Sequence, residues 1–437
     1  MTRILYDCML KNILGTTLAR ISIAIFSFCI VVINARYLGA VHVGTIGLIV
    51  LAISINMIMS SIVGGSSLAF LVPRHAVFLL FIASYGWALI TSALGSVLLS
   101  YLHMVPAGFT FDVFFISLFQ SLMNINITIL LGKEKIKLYN VFTFGEMVLR
   151  ITFLLLFIFY FGILNPHAFV YALYLSLGIF FIISLVAVHK YLVFTDLMEL
   201  PAKLREMFRL GTYIQLAGIF QLFNYRLSYY IIEGCMGRAA LGVYSVGVQI
   251  SESVWLIGKS AAMVQYSRIS NSDDEEYARQ ITLMFVKFTF LLTLLAVIVL
   301  LLIPSDVFSF VFAKDFSGLG IVISSMAVGI ISLAVSMMFS HYFSGKGKPH
   351  HNTVSSGIGL VFTLGLGIIL IPRYGLLGAG ITASVSYTIS MLYQFFVFVR
   401  IARVKLRNFL PDKQDKELLL REIRLLFNKK QNSVSVR

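Results

Sequence analysis

Apolar residues occur along this chain in twelve long runs, and short polar segments separate them. Each run is close to the roughly 20 apolar residues that an α-helix needs to cross a bilayer. The pattern predicts an all-α polytopic membrane protein with twelve transmembrane helices. The predicted spans are 12–35, 43–65, 76–101, 111–131, 141–164, 168–188, 211–232, 241–265, 281–303, 319–343, 352–371 and 376–399.

The composition supports a membrane protein. Of the 437 residues, 59% are hydrophobic and only 12% are charged, which is about half the charged share of a typical soluble domain. Because the mean hydropathy is +0.92 and charges are too few to cover a soluble surface, lipid must cover most of the chain. The three cysteines show no paired spacing, so they predict neither a disulfide framework nor a metal site.

The positive charges fall mainly on one side of the predicted spans. With both termini placed in the cytoplasm, 25 of the 34 Lys and Arg residues lie inside, 4 lie outside and 5 lie within spans. The positive-inside rule selects this orientation. It also accounts for most of the net charge of +15, so no nucleic-acid partner is predicted.

An internal repeat relates the two halves of the chain. Three short matches occur in the same order, the first at an offset of 198 residues and the others at 213, which one insertion near 303–320 reconciles. Six spans per half give both halves the same orientation, as in transporters built from parallel repeats. The matches are Leu38-Gly39 plus Gly44 with Met236-Gly237 plus Gly242, Gly132–Lys135 with Gly345–Lys348, and Tyr160–Leu164 with Arg373–Leu377.

The duplication predicts two parallel-repeat six-helix bundles around a central cavity that opens alternately to either side of the membrane. After Pro411, apolar residues recur at near-helical spacing among basic ones, which predicts an amphipathic helix on an anionic leaflet. The predicted segments are 1–189, the N-terminal bundle; 190–210, an amphipathic cytoplasmic connector; 211–399, the C-terminal bundle; and 400–437, a basic cytoplasmic tail.

Five cations lie within predicted spans, where each costs about 2.5–3.5 kcal/mol at a helix centre. Lys287 lies near the start of its span and is expected to snorkel to the interface. Arg150 follows Glu146 by four residues, which is compatible with a structural ion pair or with a role in the cavity. The other cations lie on polar stripes, which either join neighbouring helices or line the cavity. The predicted substrate-binding residues are Arg20, Asn34, Arg150, Arg226, Gln249, Glu252 and Lys259.

The positive excess within the spans favours an anionic substrate, because fixed cations replace the solvation that a phosphate loses. The sequence has no GxxxxGK[ST] phosphate loop, no zinc-ligand pattern and no GxSxG nucleophile elbow. We therefore predict no cofactor, no metal and no enzymatic activity.

Five short motifs occur in the order and spacing of a known family. They are Asn34–Gly39, Tyr225–Leu227, Leu241–Gly247, Gly345–Pro349 and Ile371–Gly380. Over residues 11–410 the chain resembles the bacterial polysaccharide-export flippases, which include the O-antigen translocases, of the multidrug/oligosaccharidyl-lipid/polysaccharide exporter superfamily. The sequence departs from the family at Ser228, where relatives often carry an acid, and at Ser267, where they often carry a proline.

The resemblance implies a protein of the bacterial cytoplasmic (inner) membrane that works by alternating access and uses Arg226 in substrate binding. The implied cargo is an undecaprenyl-pyrophosphate-linked oligosaccharide of lipopolysaccharide or capsule synthesis. The implied partners are membrane lipids, a polysaccharide polymerase and the chain-length machinery.

Three alternatives stay open. A drug/cation antiporter of the same fold would need carboxylates in the first-half spans, where the sequence offers mainly Glu146. A flippase for a cell-wall precursor would typically have two further spans. A membrane-embedded polymerase would have a large extramembrane loop or an acidic catalytic pair, whereas the longest outside segment, 305–319, is short and contains only Asp306 and Asp315.

Overall fold

The computed structural model describes residues 2–271 and 274–410, and the side chains of all of these except 2–19, 213 and 214. Over this part the chain is all-helical, and an α-helix satisfies its own backbone polar groups in lipid. The amphipathic helix predicted after Pro411 lies outside the described residues. The helices are α1 (Thr2–Leu38), α2 (Ala40–Gly64), α3 (Ser66–Leu71), α4 (Val77–Tyr101), α5 (Thr110–Gly132), α6 (Ile136–Leu155), α7 (Pro166–His189), α8 (Leu200–Ser253), α9 (Trp255–Ser270), α10 (Glu275–Leu301), α11 (Ser305–Phe312), α12 (Leu319–Gly345) and α13 (His350–Ile401).

Ten helical stretches of the described chain are long and apolar enough to cross a membrane, which confirms the predicted all-α membrane class. Two of the long helices are broken by one non-helical residue each, α8 at Gly237 and α13 at Gly375. A single residue, Val254, separates α8 from α9. The number of spans depends on how these broken helices are divided, and the value of twelve stays a prediction.

The breaks after α1 and inside α8 have the same backbone conformation. Gly39 has φ 82° and ψ 170°, and Gly237 has φ 80° and ψ −179°. Glycine is strongly favoured in this region, because a Cβ crowds the backbone; Ala313, at the end of α11, also adopts it, with φ 79° and ψ 166°. The two glycines belong to the first match of the repeat, so both halves of the chain turn at the same point for the same steric reason.

The second match of the repeat also shares one backbone structure. The amides of residues 133–135 donate to the carbonyls of residues 129–131 at the end of α5, and the amides 213 positions later repeat all three bonds at the end of α12. The central residue is left-handed in both loops, with φ 59° at Glu134 and φ 68° at Gly347. These bonds satisfy carbonyls that a helix end otherwise leaves unpaired.

The third match and the predicted insertion are also visible in the backbone. Gly162 and Gly375 both have positive φ, 65° and 59°. The insertion between the two offsets is occupied by α11, which packs on α1 through an edge-on contact between Phe28 and Phe312, with ring centroids 6.1 Å apart. The structure therefore supports a duplication interrupted by one short added helix.

The described chain forms two compact units. Unit 1 contains the residues up to Ile250 with Pro304–Val322 and Leu364–Ala379; unit 2 contains Ser251–Ile303, Ile323–Thr363 and the described residues from Gly380. Unit 1 thus holds the predicted N-terminal bundle together with parts of the predicted C-terminal one. The segment boundaries expected from the sequence stay a prediction.

Within unit 1, the backbones of α2 and α8 approach each other closely at two glycines. A Cβ at Gly44 would overlap the carbonyl oxygen of Arg238, and a Cβ at Gly242 would overlap the carbonyl oxygen of Ala40. Both pairs are related by the 198-residue offset, so the contact is reciprocal, like an interface between two identical subunits. Only glycine at 44 and 242 permits it.

Buried polar side chains join the helices inside each unit. In unit 1, Asn56 of α2 donates to Ser96 of α4 at 3.0 Å and to Ser117 of α5 at 3.1 Å. In unit 2, Gln265 of α9 donates to Thr282 of α10 at 3.1 Å. Such hydrogen bonds between helices contribute to packing where lipid supplies no hydrophobic drive for association.

We predict opposite effects for two substitutions at repeat-related loops. Glu134→Gly should raise the free energy of unfolding by about 1 kcal/mol, and Gly347→Ala should lower it similarly, because a side chain disfavours a left-handed conformation. The measurement is the thermal midpoint of the purified protein in detergent. Gly365→Ala, at a helical position with open space around it, is the control and should be neutral or stabilising. Equal shifts at 347 and 365 would contradict the assignment.

We also predict that Gly242→Ala destabilises the protein by about 1–3 kcal/mol, since the added methyl group must push α8 away from the Ala40 carbonyl. Gly234→Ala on the same helix, where nothing lies within 4 Å of the new Cβ, is the matched control. Thermal unfolding of both variants measures the difference. A Gly242→Ala protein as stable as the control would show that the close contact is not required.

Candidate functional site

Arg20, Ser27 and Asn34 follow one another at seven-residue intervals along α1. Arg20 is exposed and Ser27 half-buried, whereas Asn34 is buried. The Ser27 hydroxyl donates to the sulfur of Met147 at 3.9 Å, which places the middle of this stripe beside α6. The side-chain oxygen of Asn34 is buried without a hydrogen-bond partner in the described structure, a condition that costs free energy unless a donor reaches the atom.

Arg150 and Glu146 form the ion pair that their spacing predicts. The Nε and Nη2 atoms of Arg150 donate to the Oε1 atom of Glu146 at 2.9 and 2.7 Å. The hydroxyl of Ser176 on α7 donates to the same oxygen at 2.9 Å. The two side chains are only 18% and 7% exposed. This carboxylate is therefore held by three donors and already has its counter-charge.

Arg226 is half-buried on α8, and an aromatic side chain one turn later holds it. Its Nη1 atom donates to the hydroxyl of Tyr229 at 3.2 Å, and its guanidinium carbon lies 5.4 Å from the centroid of that ring. The Tyr229 ring in turn meets Tyr244 edge-on at 5.7 Å. The cation–π contact and the hydrogen bond together orient the guanidinium.

The structure shows several polar side-chain pairs on α8 that the sequence analysis did not predict. Gln221 donates to the hydroxyl of Tyr225 at 2.8 Å, and Arg238 donates to Glu233 at 3.3 Å across the break at Gly237. The spacing of four between Gln221 and Tyr225, and of three between Arg226 and Tyr229, was a usable signal. The pair of Arg238 with Glu233 had no such signal. In a regular helix, residues five apart do not share a face, and the two side chains meet only because the helix is broken at Gly237.

The substrate-binding residues predicted on the eighth span, Gln249, Glu252 and Lys259, are divided between the two units. Gln249 is exposed and belongs to unit 1, although the eight residues before it are buried. Glu252 is half-buried and Lys259 exposed, and both belong to unit 2. The contact of Ser27 with Met147 places the polar side chains of α1 beside α6, the helix that carries Arg150 and Glu146. The assignment of all seven residues to one cavity stays a prediction.

Metal-binding side chains do not cluster in the described chain. No group of three or more His, Cys, Asp or Glu residues is arranged there to hold a metal ion.

We predict that Arg150→Met destabilises the protein by about 3 kcal/mol, because it leaves the Glu146 carboxylate buried without its counter-charge. Adding Glu146→Gln should recover most of that loss, since the amide keeps an acceptor for Ser176. Thermal unfolding in detergent measures both variants. Arg279→Met, which breaks an exposed pair with Glu276, is the control and should cost under about 1 kcal/mol. A double variant no more stable than Arg150→Met would show that the charge pair is not the cause.

Sequence comparisons relate parts of the chain to one protein family and to one capsular polysaccharide biosynthesis protein. A family model described as Lipid II flippase MurJ matches residues 243–417. The capsular polysaccharide biosynthesis protein CapF from Staphylococcus aureus is 22% identical over 203 residues, which are 46% of this chain and 51% of CapF. The alignment thus spans about half the length of that relative.

Solved structures with the same fold are flippases and transporters. Lipid II flippase MurJ in an inward closed conformation superposes with a TM-score of 0.71 at 14% identity, over 90% of this chain and 88% of MurJ. A multidrug-resistance MATE family transporter in its inward-facing conformation gives 0.71 at 16% identity, over 88% and 98%. An outward-facing MATE structure gives 0.61 at 15% identity, over 90% and 96%.

These relatives confirm the predicted fold class and the prediction that the protein is not an enzyme, because the matched family and structures are flippases and transporters. The chain is a multi-pass membrane protein with the fold that MurJ and the MATE transporters share.

Proposed function

We propose that the protein moves an undecaprenyl-pyrophosphate-linked oligosaccharide from the inner to the outer leaflet of the bacterial cytoplasmic membrane by alternating access. The observation that carries this proposal is the match of residues 243–417 to the MurJ flippase family. The partial similarity to CapF supports a repeat unit of a capsule or O-antigen type as cargo. Both termini are placed in the cytoplasm by the distribution of Lys and Arg.

Arg226 is the residue best suited to hold the pyrophosphate. Its planar fork makes paired hydrogen bonds to phosphate oxygens, and the contact with Tyr229 orients it before the cargo arrives. Arg20 and Lys259 are exposed cations in apolar helices, and they add positive charge along the cargo path. Asn34, Gln249 and Glu252 are proposed to contact the saccharide, whose hydroxyl groups pair with amides and carboxylates.

A drug/cation antiporter is the second candidate, because MATE transporters share this fold at similar TM-scores. The arrangement of Glu146 favours the flippase over it. An antiporter needs a carboxylate that is open to a cation, whereas one oxygen of Glu146 already accepts three hydrogen bonds, two of them from Arg150. Arg150 is proposed to line the cargo path through this pair. A polymerase and chain-length proteins stay predicted partners.

The test is the analysis of lipid-linked saccharides in a strain that lacks the gene. We expect a complete lipid-linked unit to accumulate at the inner leaflet, and the wild-type gene to restore export. An accumulated cell-wall precursor would identify a MurJ-type cargo instead. Unchanged lipid intermediates together with raised drug sensitivity would overturn the flippase and support the antiporter.

We predict that Arg226→Ala lowers export roughly 10- to 100-fold, the range expected for the loss of a charged hydrogen bond. Arg226→Lys should retain more, because it keeps the charge but loses the fork. The measurement is exported polymer in the complemented strain at matched protein levels, with Arg36→Ala, on the predicted outer side, as the control. Equal loss for Ala and Lys would indicate fork geometry or packing. Full export with Ala would remove Arg226 from the site.

A further inference from the structure

Unit 2 contains an apolar groove that none of the proposed cargo-binding residues lines. The groove has a volume of about 890 Å³ and lies between α10, α12 and the last part of α13. Leu291, Val328 and Leu392, which line it, are between 38% and 63% exposed. All its lining side chains are apolar except Lys287 and Ser332, and the Ser332 hydroxyl is already bonded to Thr388 at 2.9 Å.

One end of the groove is closed by the short 3-10 helix Leu406–Phe409, which follows α13. Leu406 and Phe409 line the groove, and the Phe409 ring packs on Phe395 and Phe398 with centroids 5.0 and 6.3 Å away. A left-handed residue, Arg403 with φ 51°, turns the chain back toward the helix end. The segment 406–409 that forms this end of the groove is therefore held in place by ring packing and backbone hydrogen bonds.

The same end carries a concentration of positive charge. Arg400, Arg403, Lys405 and Arg407 are all exposed, and the last two flank Leu406 in the lining segment. Lys287 adds a fifth cation from α10, on a stem long enough to place its ammonium group toward the interface. A cluster of four or more basic residues directly after a transmembrane helix favours anionic lipid headgroups.

We propose that this groove binds an anionic phospholipid. An acyl chain lies along Leu291, Val328 and Phe395, and the headgroup phosphate lies among Lys287, Lys405 and Arg407. The lipid belongs to the leaflet at the C-terminal end of α13, which the charge distribution predicts to be cytoplasmic. Charge complementarity selects an anionic headgroup, since a zwitterionic lipid fills the groove equally well but gains little from three fixed cations.

The test uses the full chain in vesicles that contain phosphatidylglycerol or phosphatidylcholine with the same photoreactive acyl chain. Mass spectrometry then maps the labelled residues. We expect labelling of Leu291 and Val328 to be at least roughly five-fold stronger with phosphatidylglycerol, the preference that one interfacial cation supplies. Leu94 of unit 1 is the internal control. It is exposed, and it lies next to position 93, which the 198-residue repeat relates to Leu291. It should show no preference.

Three variants separate this site from general attraction of anionic lipid. Lys287→Gln should lower the ratio of groove labelling by phosphatidylglycerol to labelling by phosphatidylcholine roughly five-fold. Lys133→Gln, in a loop of unit 1, should leave this ratio unchanged. Val328→Trp fills the groove at an exposed position and should reduce labelling by both lipids. Equal labelling of the groove by the two lipids would overturn the proposal. Absence of groove labelling while Leu94 is labelled would also overturn it and would indicate that the C-terminal residues or another protein cover the groove.

Discussion

At Gly44 and Gly242, α2 and α8 share space that a side chain would otherwise fill, and a carbonyl oxygen of each helix lies where a Cβ of the other would be. The contact also bears on the surroundings of Arg226. Three residues along α2, the Cβ position of Gly47 lies 3.9 Å from the Tyr229 ring, and that ring orients Arg226. The orientation of the guanidinium proposed to bind phosphate therefore depends on the close approach of α2 and α8, which the glycines at positions 44 and 242 permit.

The cations inside the membrane are stabilised in two different ways. Arg150 forms an ion pair with Glu146. Substitution of Arg150 is therefore expected mainly to affect stability. Arg226 is held by the hydroxyl and the ring of a tyrosine, which orient its planar guanidinium. A planar fork pairs well with phosphate oxygens, and Arg226 is therefore proposed to contribute more to cargo binding than Arg150.

The fold is shared by proteins with different names for their cargo, since Lipid II flippase MurJ and one inward-facing MATE multidrug-resistance transporter both superpose with a TM-score of 0.71. Fold alone therefore does not choose between a lipid-linked saccharide and a drug. The choice rests on side chains: a carboxylate already engaged by its own arginine, and exposed or half-exposed cations along otherwise apolar helices. The groove in unit 2 adds a second proposed role for cations, because basic residues follow α13 directly beside its apolar lining.

The sequence alone determined the membrane class and indicated the repeat, because hydrophobic run length and short matching motifs can be recognised along the chain. It also predicted the pair of Arg150 with Glu146 from their spacing on one helix. Only the tertiary structure added Ser176 to that pair, made α2 and α8 reciprocal partners, and divided Gln249 and Glu252 between two units. Those features depend on which distant helices meet, and periodicity within one helix carries no information about its neighbours.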